Sequence, residues 1–145
     1  LETGRYNSAT ILDDRPVDLK LTSGQRWTPQ NYTREIYGPV PMTLALAESL
    51  NLATVHLGLE VGLPQVASTI VKLGFERKPP QHPSLLLGAV DMTPLEVAQI
   101  YSPFANGGFK ARLRTVRAVV DDGGKTLRAF PVQVDAVSHP AAIYQ

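Results

Sequence analysis

Four residues, Thr93-Pro94-Leu95-Glu96, constrain this chain more tightly than any other stretch. A threonine hydroxyl at a helix start can accept the backbone N–H three residues on. A glutamate at that third position can accept the threonine's own N–H, so two otherwise unpaired donors are satisfied reciprocally. Proline at the first helical position costs nothing, because the N–H it lacks would have no partner there. Met92 and Val97 are spaced as a hydrophobic staple. The pattern predicts a helix from Pro94 to about Ala105, stopped at Gly107-Gly108, where left-handed backbone is tolerated.

The remaining elements are shorter: extended pieces, short helices and a hairpin. Pro29, Pro39 and Pro41 interrupt any long helix in residues 1–40, which read as irregular to extended. Asp13-Asp14-Arg15-Pro16 and Thr22-Ser23-Gly24-Gln25 are turn-rich. Val17 to Leu21 suits a short strand, with a second strand joined to it at Ser23-Gly24. Helices dominate residues 41–110. The first covers Met42 to Ser49 and breaks at Asn51, whose side chain competes with the helical backbone. A second runs from about Ala53 to Val61, with Leu52, Val55 and Leu59 along one face, and ends at Gly62. A third runs from Pro64 to Leu73, with Val66, Ile70 and Leu73 as its buried stripe and Gly74 as its stop. Residues 76–84 are a Pro-rich, charged linker. Residues 111–131 change to a period of two: Val116, Ala118 and Val120 alternate with Thr115, Arg117 and Val119. The turn Asp121-Asp122-Gly123-Gly124 then returns the chain along Lys125 to Phe130 as a hairpin. Residues 132–145 read as a loop entering a helix at Pro140.

Composition excludes several function classes. The chain has 145 residues, 14 of them basic and 13 acidic, for a net charge of +1. No basic stretch is long enough to track a phosphate backbone, so nothing points to nucleic acid. There is no cysteine, which removes disulfides, thiolate metal sites and thiol catalysis together. No apolar run approaches the ~20 residues of a membrane helix. The first residue is Leu1, so the chain does not open as a natural translation start, and any targeting segment is expected outside it.

Few residues look chemical by themselves. His56 and Glu60 are the nearest approach to a metal pair, and alone they read as a helix-surface contact. No metal site and no cofactor site is expected. Gly107-Gly108 follows a helix and so cannot open a phosphate-binding one. Asp121-Asp122 beside two glycines is turn chemistry. A self-contained serine hydrolase would need a serine, a base and an orienting acid in reach of one another, and no Gly-x-Ser-x-Gly elbow is present. On local sequence, Ser49 and Asn51 read first as the cap and the break of a helix.

Their surroundings change that reading. The run Ala45-Leu46-Ala47-Glu48-Ser49-Leu50-Asn51-Leu52-Ala53-Thr54-Val55 is similar to the Ser-x-Asn motif of penicillin-binding proteins. It is preceded by Trp27-Thr28-Pro29-Gln30-Asn31, similar to the Trp-x-Pro-x-Asn element of that family. Leu86-Leu87-Gly88, Met92 to Ala98 and Phe104-Ala105-Asn106-Gly107-Gly108 follow in the family's order and spacing. The resemblance covers nearly the whole chain and is to the transpeptidase domain of class A, bifunctional penicillin-binding proteins. It implies an α+β fragment of the serine transpeptidase/β-lactamase-like fold, mainly its helical subdomain plus a peripheral hairpin.

The resemblance also implies a role for each residue. Ser49 would relay protons and Asn51 would hold an amide of the donor peptide, in acyl transfer through a serine ester. The implied partners are peptidoglycan stem peptides and β-lactams. The parent protein would be anchored in the bacterial inner membrane with this domain on the periplasmic side. No Ser-x-x-Lys nucleophile motif occurs in the chain. Thr69-Ile70-Val71-Lys72 imitates it after Ser-x-Asn, where the family has it before. Lys125-Thr126-Leu127 imitates Lys-Thr-Gly without the glycine. The true first and third motifs are therefore expected before Leu1 and after Gln145, and the chain alone is expected to be inactive. Uncovered apolar faces, that of Met42 to Ser49 among them, would favour association with a second copy or another chain. The alternative reading is a non-catalytic helical interaction module of the same ancestry.

Overall fold

The computed structural model describes residues 4–144. The chain divides into two compact units: residues up to 69 with 78–91, and residues 70–77 with 92–144. Among the described residues every sheet is a two-stranded antiparallel ladder.

In the first unit, β1 (Ile11–Asp14) pairs with β4 (Gly38–Pro41), which sets Leu12 opposite Val40 and Asp14 opposite Gly38. Pro39 and Pro41 have no N–H to give a second neighbour, so β4 suits an edge. Between these strands lies a small hairpin of β2 (Leu19–Lys20) and β3 (Arg26–Trp27). Its turn is closed by Leu21 N–H to the Gln25 carbonyl at 2.8 Å, at the Ser23-Gly24 position expected from sequence.

Helix α1 (Met42–Ala47) follows β4 directly and ends before Ser49. Helix α2 (Asn51–Val61) begins at Asn51, so this residue opens a helix and the break lies at Glu48 to Leu50. Apolar residues surround α2, as suits a helix buried on two sides. Leu50 and Ala53 pack with Leu12, Val40 and Ala45. Leu52 and Val55 pack with Val17, and Leu19, Trp27 and Leu86 close over them. Leu86 lies in a 3-10 turn (Pro83–Leu87). Helix α3 (Leu63–Leu73) contains the whole of Thr69 to Lys72. There the Thr69 hydroxyl donates to the Gln65 carbonyl one turn back at 2.9 Å.

In the second unit, α4 (Pro94–Ala105) starts as expected. Glu96 N–H donates to the Thr93 hydroxyl at 3.2 Å, and Thr93 N–H donates to the Glu96 carboxylate at 2.7 Å. The Arg77 guanidinium also binds that carboxylate, at 3.2 Å from each oxygen. These donors hold the Glu96 carboxyl below its ordinary range, the Thr93 backbone N–H first among them and against the opposing cost of desolvation. Pro103 lies inside α4 and cannot donate to the Gln99 carbonyl. The Ser102 hydroxyl does so instead, at 2.8 Å.

Strand β5 (Phe109–Ala111) pairs with β8 (Val134–Ala136), so the segment expected to be a loop before Pro140 contains a strand. The Gln99 side chain extends that pairing. Its amide donates to the Ala111 carbonyl and accepts from Leu113 N–H, both at 2.9 Å. The hairpin is β6 (Ala118–Val120) with β7 (Thr126–Ala129), shorter than the alternation suggested and exposed along both strands. Of Lys125-Thr126-Leu127, Lys125 precedes β7 and the other two are its first residues. Helix α5 (Pro140–Ile143) begins at the expected proline.

Candidate active site

The candidate site is the α1–α2 junction. Helix α1 ends in a turn over Glu48 and Ser49. Ser49 has φ of +52°, one of two described non-glycine residues in the left-handed region. Such a conformation costs roughly 1–2 kcal/mol in an L-residue, and strain of this kind gathers at functional positions. Leu50 is then extended and buried, 3% exposed, in the cluster with Leu12, Val40 and Ala53. One apolar side chain therefore pins the junction from below, while Ser49 stands exposed and Asn51 half-buried on either side of it.

The N-terminus of α2 decides what those two side chains can do. Helix starts leave several N–H groups without intrahelical partners, and serine or asparagine at the N-cap is the usual remedy. Here the N-cap is Leu50, which has no side-chain acceptor. Ser49 is one residue too early and Asn51 one too late. The missing acceptors arrive from far away in sequence: Leu52 N–H donates to Asn31 Oδ1 and Ala53 N–H to Asp14 Oδ1, both at 3.1 Å. Ser49 and Asn51 are consequently not spent as caps. Within the described residues the Ser49 hydroxyl makes no hydrogen bond. The Asn51 amide donates once, to the Gln30 carbonyl at 2.8 Å, which holds the side chain and leaves its oxygen and second N–H open. Ser49 thus offers a hydroxyl that can both give and take a proton, and Asn51, two residues on, a carboxamide that can pair with a peptide bond.

The other sequence candidates are placed elsewhere. His56 Nε2 lies 3.1 Å from the Arg15 carbonyl, and Glu60 pairs with Arg5 at 3.3 Å, so each has its own partner. Among the described residues no serine is hydrogen-bonded to a histidine, as a self-contained triad would need, and no three His, Asp or Glu side chains gather as a metal site. No helix among them is long and apolar enough to cross a membrane. Asp14 is the residue that sequence reasoning passed over. It stood within a turn-rich run with no signal of burial, yet it is 0% exposed. Asn31 and Gln30 were visible as parts of a motif but without a role.

Short two-stranded ladders and an apolar helix pair make this an α+β chain. The family described as the penicillin binding protein transpeptidase domain matches residues 1–141, and the chain belongs to that family. Penicillin-binding protein 1B of Vibrio cholerae is 46% identical over 140 residues, which is 95% of this chain and 18% of that protein. Penicillin-binding protein 1B of Escherichia coli is 42% identical over 142 residues, covering 94% and 17% respectively. Among solved structures, penicillin-binding protein 1A from Haemophilus influenzae superposes with a TM-score of 0.80 at 26% identity, over 88% of this chain and 19% of that one. Penicillin-binding protein A from M. tuberculosis, as its imipenem acyl-enzyme complex, gives 0.80 at 20% identity over 98% and 38%, a likeness of fold. The chain thus spans less than a fifth of the curated relatives it matches.

Proposed function

We propose that this chain is the Ser-x-Asn part of a peptidoglycan D,D-transpeptidase, in which Ser49 relays protons and Asn51 holds the donor peptide. The observation that carries the proposal is the division of labour at α2. Distant residues cap the helix, and Ser49 and Asn51, on either side of its N-cap, take no part in capping it. In this reading a serine outside residues 1–145 attacks the penultimate D-alanine carbonyl of a stem peptide, and the terminal D-alanine leaves as its amine with a proton. An acceptor amine then takes the acyl group from the serine ester. Ser49 carries a proton along that route, and Asn51 pairs with a peptide bond of the donor. β-Lactams enter the same site as donor mimics, and no cofactor takes part. The parent is a bifunctional glycosyltransferase/transpeptidase anchored in the bacterial inner membrane, working on its outer side.

By itself the chain forms no ester, because a relay hydroxyl does not replace a nucleophile. In the whole protein, Ser49→Ala slows β-lactam acylation on the order of 100-fold, the size typical of a lost proton-transfer group, while the fold persists. Acylation at the unaltered rate would reduce Ser49 to a turn residue. The second reading, a helical interaction module, draws on the apolar surface of α1, where Leu44 is 41% and Leu46 81% exposed. A Ser-x-x-Lys motif shortly upstream in the parent gene decides for the enzyme. The same exposed side chains favour self-association of the chain in isolation.

A further inference from the structure

Asp14 and Asn31 are the two buried polar side chains of the described residues, 0% and 4% exposed, and both serve one helix end. The Asp14 carboxylate accepts three donors: Asn31 Nδ2 at 2.8 Å, Tyr37 N–H at 3.0 Å and Ala53 N–H at 3.1 Å. No cation is among them. Arg15, its sequence neighbour, is turned to Asp13 instead. A buried carboxylate without a counter-ion is tolerated only when hydrogen bonds and oriented dipoles replace its hydration, and the α2 N-terminus supplies such a dipole. Asn31 completes the frame. Its oxygen accepts Leu52 N–H at 3.1 Å, and its amide donates to Asp14 and to the Glu35 carbonyl at 2.9 Å.

The frame fixes where α2 begins relative to β1 and to the loop that carries Gln30. That loop is also the one that holds the Asn51 side chain. A helix needing stability alone could be capped at its own N-cap. Leu50 occupies that position because the core requires it, and the N–H groups are met from 39 and 21 residues upstream. We infer that Asp14, together with Asn31, is a positioning residue for the transpeptidase reaction, setting Ser49 and Asn51 by locking the first turn of α2. This rests on the proposed role of Ser49 and Asn51.

The test uses the whole protein, with acylation by a fluorescent penicillin measured per titratable active site. Asp14→Asn keeps the shape but offers an amide where acceptors are needed. Asn31→Ala removes the second acceptor. Each is expected to slow acylation at least 10-fold with full titration stoichiometry. Because the pair acts through Ser49 and Asn51, the loss shrinks below 3-fold when Asp14→Asn is added to the Ser49→Ala/Asn51→Ala background. An unchanged rate in the folded variants overturns the inference. So does an equal fold-loss in both backgrounds, which a purely structural role gives. Failure of both variants to fold also overturns it, by making the pair a requirement of the fold and not of the site. If Ser49→Ala and Asn51→Ala acylate at the unaltered rate, it is the proposed function that fails.

Discussion

Replacing Leu50 by serine sets a local helix cap against the core, and the structure says which wins. Serine at an N-cap ordinarily stabilises a helix by about 1 kcal/mol over alanine, by accepting an N–H of the first turn. Leu50 is 3% exposed among Leu12, Val40 and Ala53, and truncating such a leucine costs about 2–5 kcal/mol. The cap also has little to gain, because Leu52 and Ala53 N–H already donate to Asn31 and Asp14. Leu50→Ser should therefore lose about 2–5 kcal/mol, and Leu50→Ala should match it within about 0.5 kcal/mol. Trp27 is the chain's single tryptophan and packs on the Leu52–Val55 cluster, so its fluorescence during urea unfolding reports on this unit. A serine variant more stable than the alanine variant by about 1 kcal/mol would refute the reasoning, since the first-turn N–H groups would then be available.

Three further perturbations follow from the same geometry. At Ser49, glycine removes the left-handed strain, worth roughly 1–2 kcal/mol, against about 0.5–1 kcal/mol of added unfolded-state freedom. Ser49→Gly should thus be neutral to about 1 kcal/mol stabilising by urea titration, while slowing acylation in the whole protein; a large destabilisation would contradict it. Gly108 has φ of +95°, and a Cβ there would press into the Ser138 carbonyl. Gly108→Ala should cost about 2–4 kcal/mol by the same titration, strain and overpacking together. The Glu96 carboxyl is held low by the Thr93 backbone and then by the Thr93 hydroxyl and Arg77, so its stabilisation is full above the ordinary glutamate range and is lost as pH falls through the depressed folded value. Stability curves of the protein and of Glu96→Gln should converge at acid pH and separate above it; parallel curves would count against the capping box.

How far the fold could be read in advance depended on where each element's partners lie. Helix α4 was legible because its caps are local: Thr93 and Glu96 are three residues apart and bond each other. The start of α2 was placed two residues late, at Ala53, because its acceptors come from Asp14 and Asn31 and leave no mark beside Leu50. The β1–β4 ladder was hidden by Pro39 and Pro41, which argue against a strand unless it stands at an edge. Strand β8 is three residues long and pairs with β5 across the whole hairpin, so no short-range pattern announces it. Ser49 and Asn51 are singled out by flanking motifs and not by their own chemistry. That neither side chain caps α2 follows from the long-range contacts of Asp14 and Asn31.

In the proposed function Ser49 assists, and the bond-making serine lies outside residues 1–145. The most direct measurement is the intact mass of this chain after exposure to a β-lactam, with the whole protein alongside and any adduct mapped to its peptide. The account predicts no mass gain on the chain and, in the whole protein, one adduct on a serine outside residues 1–145. A stoichiometric adduct on Ser49 would contradict it.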